Sequence, residues 1–249
     1  MRVRIAHREL KWEIPIMEVL NNIPVKLDLE AVLRRIRVRN RNERLEKSVK
    51  ELVEVARPIA RPKAVYEVSY VENRNEDSLD IGGVRFTSRI LRVNLDKVER
   101  VFPYVVTCGR ELDEIDFPSQ EFIKSYYLGQ IKETVLVLAR KYLEDYLTRK
   151  YALGRMSKMA PGAGSVDDWP ITQQEGLFAI FGSRDKVEEL IGVRLTDKCL
   201  MIPLKSVSGI YFPAEIKFEA CQLCPREGCI GRRAPYAPGL VEKYRSLLV

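Results

Sequence analysis

Apolar positions recur at three- and four-residue steps in some stretches of the chain and alternate with polar ones in others. Leu29, Val32, Leu33 and Ile36 share one face of a helix predicted over Leu27–Ile36, with Asp28 placed to cap it. Leu45, Val49, Leu52, Val53 and Ala56 form the stripe of a second helix, Glu43–Ala60, which Pro58 and Pro62 end. Ile131, Val135, Leu138, Tyr142 and Tyr146 mark a long core helix over Ser119–Leu153, with Gly154 as its cap. Shorter helices are predicted over Ser88–Val98, after the capping pattern Thr172-x-x-Glu175, and over Lys186–Ile191 between Ser183 and Gly192.

The alternating stretches predict strands. Trp12, Ile14 and Ile16 alternate, as do Val65, Tyr66, Val68 and Tyr70 within Ala64–Val71. Val101–Thr107 reads as a buried strand, and Pro103 inside it argues for an edge or an irregular start. Asp80–Phe86 reads as a short strand bent at Gly82-Gly83. Cys199–Ile202 and Val207–Phe212 supply two more. The segment Arg155–Trp169 is too rich in Gly and Pro for helix or strand and is expected to be a loop. Helices and strands are mixed irregularly with no linker between early and late elements. The expected class is therefore α+β, one domain with a mixed or antiparallel twisted sheet and a long core helix.

Composition narrows the partners. The chain has 249 residues and a formal charge of +7, a field that favours acidic partners. No basic tract is interleaved with aromatics as an RNA platform needs, so no nucleic acid is expected. No apolar run approaches a membrane span, and the N-terminal residues are too charged for a signal peptide, so a cytoplasmic protein is expected. The one histidine, His7, lies in a polar setting and reads as a surface residue; a histidine-based triad is excluded.

Two stretches carry candidate chemistry. The first is Lys158-Met-Ala-Pro-Gly162-Ala-Gly164, where glycines let backbone groups approach a ligand and Lys158 supplies charge. It matches neither a dinucleotide fingerprint nor a phosphate loop. The second is Cys221-x2-Cys224-x4-Cys229. Thiolates at this spacing can wrap one metal centre, as an iron–sulfur cluster or as zinc, with Cys199 or Cys108 or an outside ligand in the fourth place. Three free thiols are the remaining alternative. Pro225 and Gly228 supply turns, and Arg226, Arg232 and Arg233 would offset thiolate charge.

From Lys158 onward the sequence resembles the activation domain of cobalamin-dependent methionine synthase. That family has R-P-A-P-G-Y, where this chain has Lys158-Met-Ala160-Pro161-Gly162-Ala163. Its L-T-E-S-x-x-M-x-P-x-x-S-V-S-G-x-Y-F is matched by Leu195-Thr-Asp-Lys-Cys-Leu-Met201-Ile-Pro203-Leu-Lys-Ser206-Val-Ser208-Gly209-Ile-Tyr211-Phe212. The resemblance spans most of residues 40–221. It implies an activation-domain-like unit over 41–220, flanked by an N-terminal extension over 1–40 and a cysteine loop with tail over 221–249. It implies S-adenosylmethionine held by Lys158, Ala160 and Gly162, by Phe218 where the family has tyrosine, and by an acidic residue of the long helix, assigned to Glu133. The implied partner is a corrinoid-binding protein or methyltransferase. The corrinoid comes from that partner, because no D-x-H-x-x-G sequence is present here. The cysteine cluster lies outside the family pattern. If it holds iron, the chain becomes a stand-alone reactivation subunit that delivers the reducing electron, served by an electron-transfer protein. The alternative is a non-catalytic assembly subunit with a structural metal.

Overall fold

The structure, a computed structural model, describes residues 16–36, 42–164, 169–215, 218–229 and 231–246. His7, Trp12 and Ile14 lie outside the described residues. In chain order the elements are β1 (Ile16–Leu20), α1 (Leu29–Ile36), α2 (Glu43–Ile59), β2 (Lys63–Arg74), β3 (Ser78–Ile81), β4 (Val84–Thr87), α3 (Arg89–Asn94) and β5 (Arg100–Thr107). Then come α4 (Phe122–Lys150), β6 (Met156–Met159), α5 (Gln174–Ile180), α6 (Arg184–Ile191), β7 (Arg194–Leu195), β8 (Met201–Ile202), β9 (Ser206–Pro213) and α7 (Pro238–Ser246). The class is α+β, as the pattern predicts.

The main sheet runs β4-β3-β2-β5-β9-β6, and β1 shares an edge of the long strand β2 with β3. Its pairings are antiparallel throughout. One face carries Tyr66, Phe102, Tyr104, Val106 and Tyr211 against α1, α2 and α4. The other face packs Val65 and Val105 under α5 and α6, and Val101, Ile210 and Phe212 with Trp169 and Phe86. This two-layer arrangement buries both faces of the central strands, which is why Ala64–Val71 and Val101–Thr107 are almost wholly apolar or buried.

Several caps follow the local chemistry. Asp28 accepts from the Ala31 N–H at 3.1 Å, Asn42 from Leu45 at 2.9 Å, and Ser183 from Lys186 at 3.0 Å. Gly192 closes α6 in the left-handed region at φ +76.

Other expectations are corrected. The strand with Pro103 is central, between β2 and β9. Pro103 sits opposite Ile210, and the β2–β5 ladder lapses between Tyr66↔Tyr104 and Ser69↔Val101, where proline has no N–H to give. Asp80–Phe86 is not one bent strand but a hairpin, turned by Gly82 and Gly83 at φ +56 and +75. The long helix ends at Lys150, and Ala152 rather than Gly154 takes the left-handed conformation beyond it. Thr172-x-x-Glu175 makes no capping box: Glu175 pairs instead with Arg184 at 2.5 Å. Met156–Met159, expected as loop, is a strand, because the exposed edge of β9 offers it a ladder that local sequence does not announce.

Candidate functional site

The edge strand β6 brings Lys158 opposite Tyr211 of β9, on the sheet face that α4 covers. The Lys158 side chain is only 12% exposed and Glu219 16%, with 3.9 Å between Nζ and Oε1. The ammonium also lies over the Tyr211 ring, 5.9 Å from its centre. Burial pulls the Lys158 pKa below the usual lysine value, with Glu219 acting in the opposite direction.

Beneath the lysine, Tyr104 and Tyr211 stack with ring centres 4.4 Å apart. Burial raises Tyr104 to about 12 and Tyr211 well above its ordinary value. The Tyr211 hydroxyl is buried without a hydrogen-bond partner among the described residues. Gly209 makes this packing possible. A Cβ there would lie 2.5 Å from the Met159 carbonyl oxygen and 3.1 Å from the Tyr104 hydroxyl.

A cavity of about 80 Å³ opens over this group. Tyr104, Arg140 of α4, Lys158, Ala160, Glu219 and Cys221 contribute to its wall, together with Ala163, Gly164 and Arg233. Glu144 follows Arg140 by one helical turn, and its charge acts on Lys158, Tyr104 and Tyr211. The polar set is therefore two carboxylates, three cations and two phenols. It suits a zwitterionic or charged ligand with a flat ring to stack.

The sequence-predicted residues separate into two groups. Lys158 and Ala160 line the cavity. Gly162 does not line it but shapes its wall: φ is +74, its N–H donates to the Trp169 carbonyl at 2.7 Å, and a Cβ would meet Ile171 Cδ1 at 2.8 Å. Glu133 lies elsewhere on α4, in an ion pair with Lys205 at 3.1 Å; Glu144 is the long-helix carboxylate whose charge reaches Lys158. Phe218 turns away into the core, edge-on to Tyr244 at 5.9 Å, while its N–H donates to Ser157 Oγ at 2.8 Å. Sequence pattern offers both Glu133 and Glu144 as long-helix carboxylates able to reach a ligand, whereas Tyr104, Arg140 and Glu219 carry no ligand signal of their own. The four-residue step from Arg140 to Glu144 reads equally as a solvated helix face.

The cysteines also separate. Cys221 lines the cavity, and its sulfur accepts from the Arg233 N–H at 3.5 Å. The Arg232 guanidinium donates to the carbonyls of Cys221 at 3.1 Å and Cys224 at 3.0 Å, and to that of Arg226, so it organises the loop backbone. Cys199, at φ +56, belongs to the apolar cluster under α5 and α6, on the other side of the sheet from the cavity. Cys108 is buried at the end of β5, and burial pushes its thiol up to about 12. Among the described residues no three Cys, His, Asp or Glu side chains converge as a metal-holding group. Cys199 is held on the opposite face by its own packing, so it does not stand beside Cys221 as a fourth ligand. Among the described residues no helix is long and apolar enough to cross a membrane.

No family model matches the sequence, and no curated protein matches it. A solved structure does match in fold: the crystal structure of the MetH reactivation domain bound to AdoHcy. The TM-score is 0.55 at 14% identity, over 82% of this chain and 81% of that one. This chain shares that fold. The likeness accounts for the antiparallel sheet and the helices packed on it.

Proposed function

We propose that this chain is a stand-alone activation subunit that holds S-adenosylmethionine beside Lys158 and presents it to a separate corrinoid-binding methyltransferase. The observation that carries the reading is the polar site at β6: a desolvated lysine and a carboxylate at a loose 3.9 Å on the wall of one small cavity, over the stacked Tyr104 and Tyr211 rings. Buried polar groups are ordinarily satisfied, and those left open are where a ligand's own groups fit. Support comes from the shared fold, since the MetH reactivation domain was solved with AdoHcy, and from the Ser206–Phe212 stretch, which forms β9 under the site.

In this reading Lys158 takes the ligand carboxylate in place of Glu219, and Arg140 adds a second cation. Glu144 faces the ligand's positive end. A lysine gives this contact as a point charge, without the fork an arginine would supply. The chain contributes position and electrostatics, and the chemistry belongs to sulfonium and corrinoid. About 80 Å³ holds only two or three waters, so a nucleoside enters with displacement of the Glu219–Cys221 segment.

That same small volume favours a second reading, a non-catalytic assembly subunit that keeps the fold. Isothermal titration with S-adenosylmethionine and S-adenosylhomocysteine separates them. Saturable binding that Lys158→Ala weakens at least about tenfold supports the first. Absence of binding to a folded protein supports the second.

A further inference from the structure

A second cleft lies beside the first, between α1 and α4, and encloses about 540 Å³. Its lining is strongly basic. Arg34 and Arg35 enter from the last turn of α1, Arg140 from α4, and Arg232 and Arg233 from the segment after the cysteines. Arg232 is committed to backbone carbonyls of the cysteine loop. The guanidinium groups of Arg34, Arg35, Arg140 and Arg233 make no hydrogen bond or ion pair among the described residues. The cleft's one carboxylate, Glu133, is neutralised by Lys205.

Two basic residues at a helix C-terminus need no ligand to explain them. Guanidiniums converging from three separate segments are another matter. Like charges in a concave site repel, and half-buried Arg140 makes no ion pair among the described residues, with Glu144 one helical turn along α4 as its neighbouring carboxylate. Such a cleft focuses positive potential and concentrates anions. Planar forks suit phosphate oxygens bidentately. Val137 and Leu138 give it an apolar wall, and its volume is that of an ordinary small-molecule site. A convex acidic protein surface would engage the exposed Arg34 and Arg233 but not reach into the recess at Arg140.

We propose that this cleft binds a phosphate-bearing small molecule, its phosphoryl group held by Arg34, Arg35 and Arg140, with Arg233 closing over it. The proposal is independent of the S-adenosylmethionine reading, although Arg140 and Arg233 border both cavities and would couple them.

The test uses the full chain and inorganic pyrophosphate as the probe, by isothermal titration and by phosphorus-31 line broadening. Saturable binding is expected, weakened at least about tenfold by Arg34→Gln/Arg35→Gln and by Arg140→Gln, and weakened by salt raised from about 50 to about 200 mM. Arg34 is exposed and Arg35 half-exposed, so the double variant should keep its circular dichroism and melting temperature. Arg92→Gln, whose side chain pairs with Asp96 elsewhere, serves as the control for net charge. Pyrophosphate binding that is absent, or that the folded double variant retains unchanged, overturns the proposal. So does a polyglutamate peptide that binds through Arg34 while pyrophosphate does not, which would make the cleft a protein-docking surface. S-adenosylmethionine titrated into the same double variant should bind as in the parent, so failure of one reading leaves the other legible.

Discussion

Lys158 on β6 and Glu219, from the segment after β9, face each other across the cavity at 3.9 Å, both largely shielded from water. The contact is too long for a strong hydrogen bond and too buried to be ignored. It keeps each charge tolerable while leaving the lysine open to a better partner.

If Glu219 holds the place of a ligand carboxylate, Glu219→Gln should tighten S-adenosylmethionine binding several-fold while Lys158→Ala weakens it. Titration of the two variants beside the parent checks this; a Glu219→Gln that binds more weakly would mean that Glu219 contacts the ligand rather than competing with it.

The same pair predicts a pH dependence. Burial depresses Lys158, so the unfolded chain holds that proton more tightly. Its contribution to stability is complete above the ordinary lysine value and is lost as pH falls toward the depressed one. Lys158→Met/Glu219→Gln removes both charges and should be at least as stable as the parent at neutral pH, by roughly 1 kcal/mol. Chemical denaturation repeated at about pH 10, near the ordinary lysine value, should show the parent closing that gap.

Gly209 has no room for a side chain, since a Cβ would press on the Met159 carbonyl at 2.5 Å, in backbone that cannot easily yield. Gly209→Ala should destabilise the fold by about 1–3 kcal/mol. It should also disturb β6 and with it Lys158. Urea titration measures the first effect and ligand binding the second.

Glu18 of β1 ties the sheet to the end of α4. It accepts from Tyr146 at 2.5 Å, from Tyr66 and from Lys150. Burial opposes its ionisation, but these three donors outweigh burial and hold its pKa below the ordinary glutamate value. Its contribution is therefore present above the unfolded value and lost as pH falls through the folded one. Glu18→Gln should cost about 1–2 kcal/mol at neutral pH, with the difference shrinking as pH falls from the ordinary glutamate value through the lowered folded one. Melting curves across that range decide it.

Thiol chemistry separates the cysteines. Cys229 is exposed and Cys221 and Cys224 half-exposed, whereas Cys108 and Cys199 are buried with raised pKa values. At about pH 8, native protein should react quickly at three sites and slowly at the other two, read by peptide mass spectrometry. Anaerobic protein with stoichiometric iron and sulfide, losing its colour in Cys221→Ser, would bring the electron-delivery form of the activation reading into force. Zinc in their place would assign the thiols a structural role.

Much of the architecture could be read locally. The stripe Leu45–Ala56 requires a helix because its spacing places every apolar side chain on one face, and Asp28 and Ser183 mark helix starts through hydrogen bonds to residues three positions on. The strands β2, β5 and β9 announce themselves as apolar or alternating runs, and composition and family resemblance draw attention to Lys158 and its Gly-rich neighbours. Those features depend on residues within a few positions of one another, which is the range over which sequence pattern carries information.

What the tertiary structure alone decided is longer in range. Whether Met156–Met159 is a strand depends on β9, some 50 residues later, offering its edge. Which helix carboxylate acts on Lys158 depends on how α4 lies on the sheet, and that selects Glu144 and sends Glu133 to Lys205. Cys199 and Phe218 look like ligands in sequence because of their neighbours, but each is drawn into the apolar layer on the far side of the sheet, where burial outweighs any site chemistry. The amino-acid sequence by itself determined the main helices and the central strands and marked out the segment that bears Lys158. The packing of two layers on one sheet determined which side chains share a cavity, because that choice rests on contacts between residues far apart in the chain.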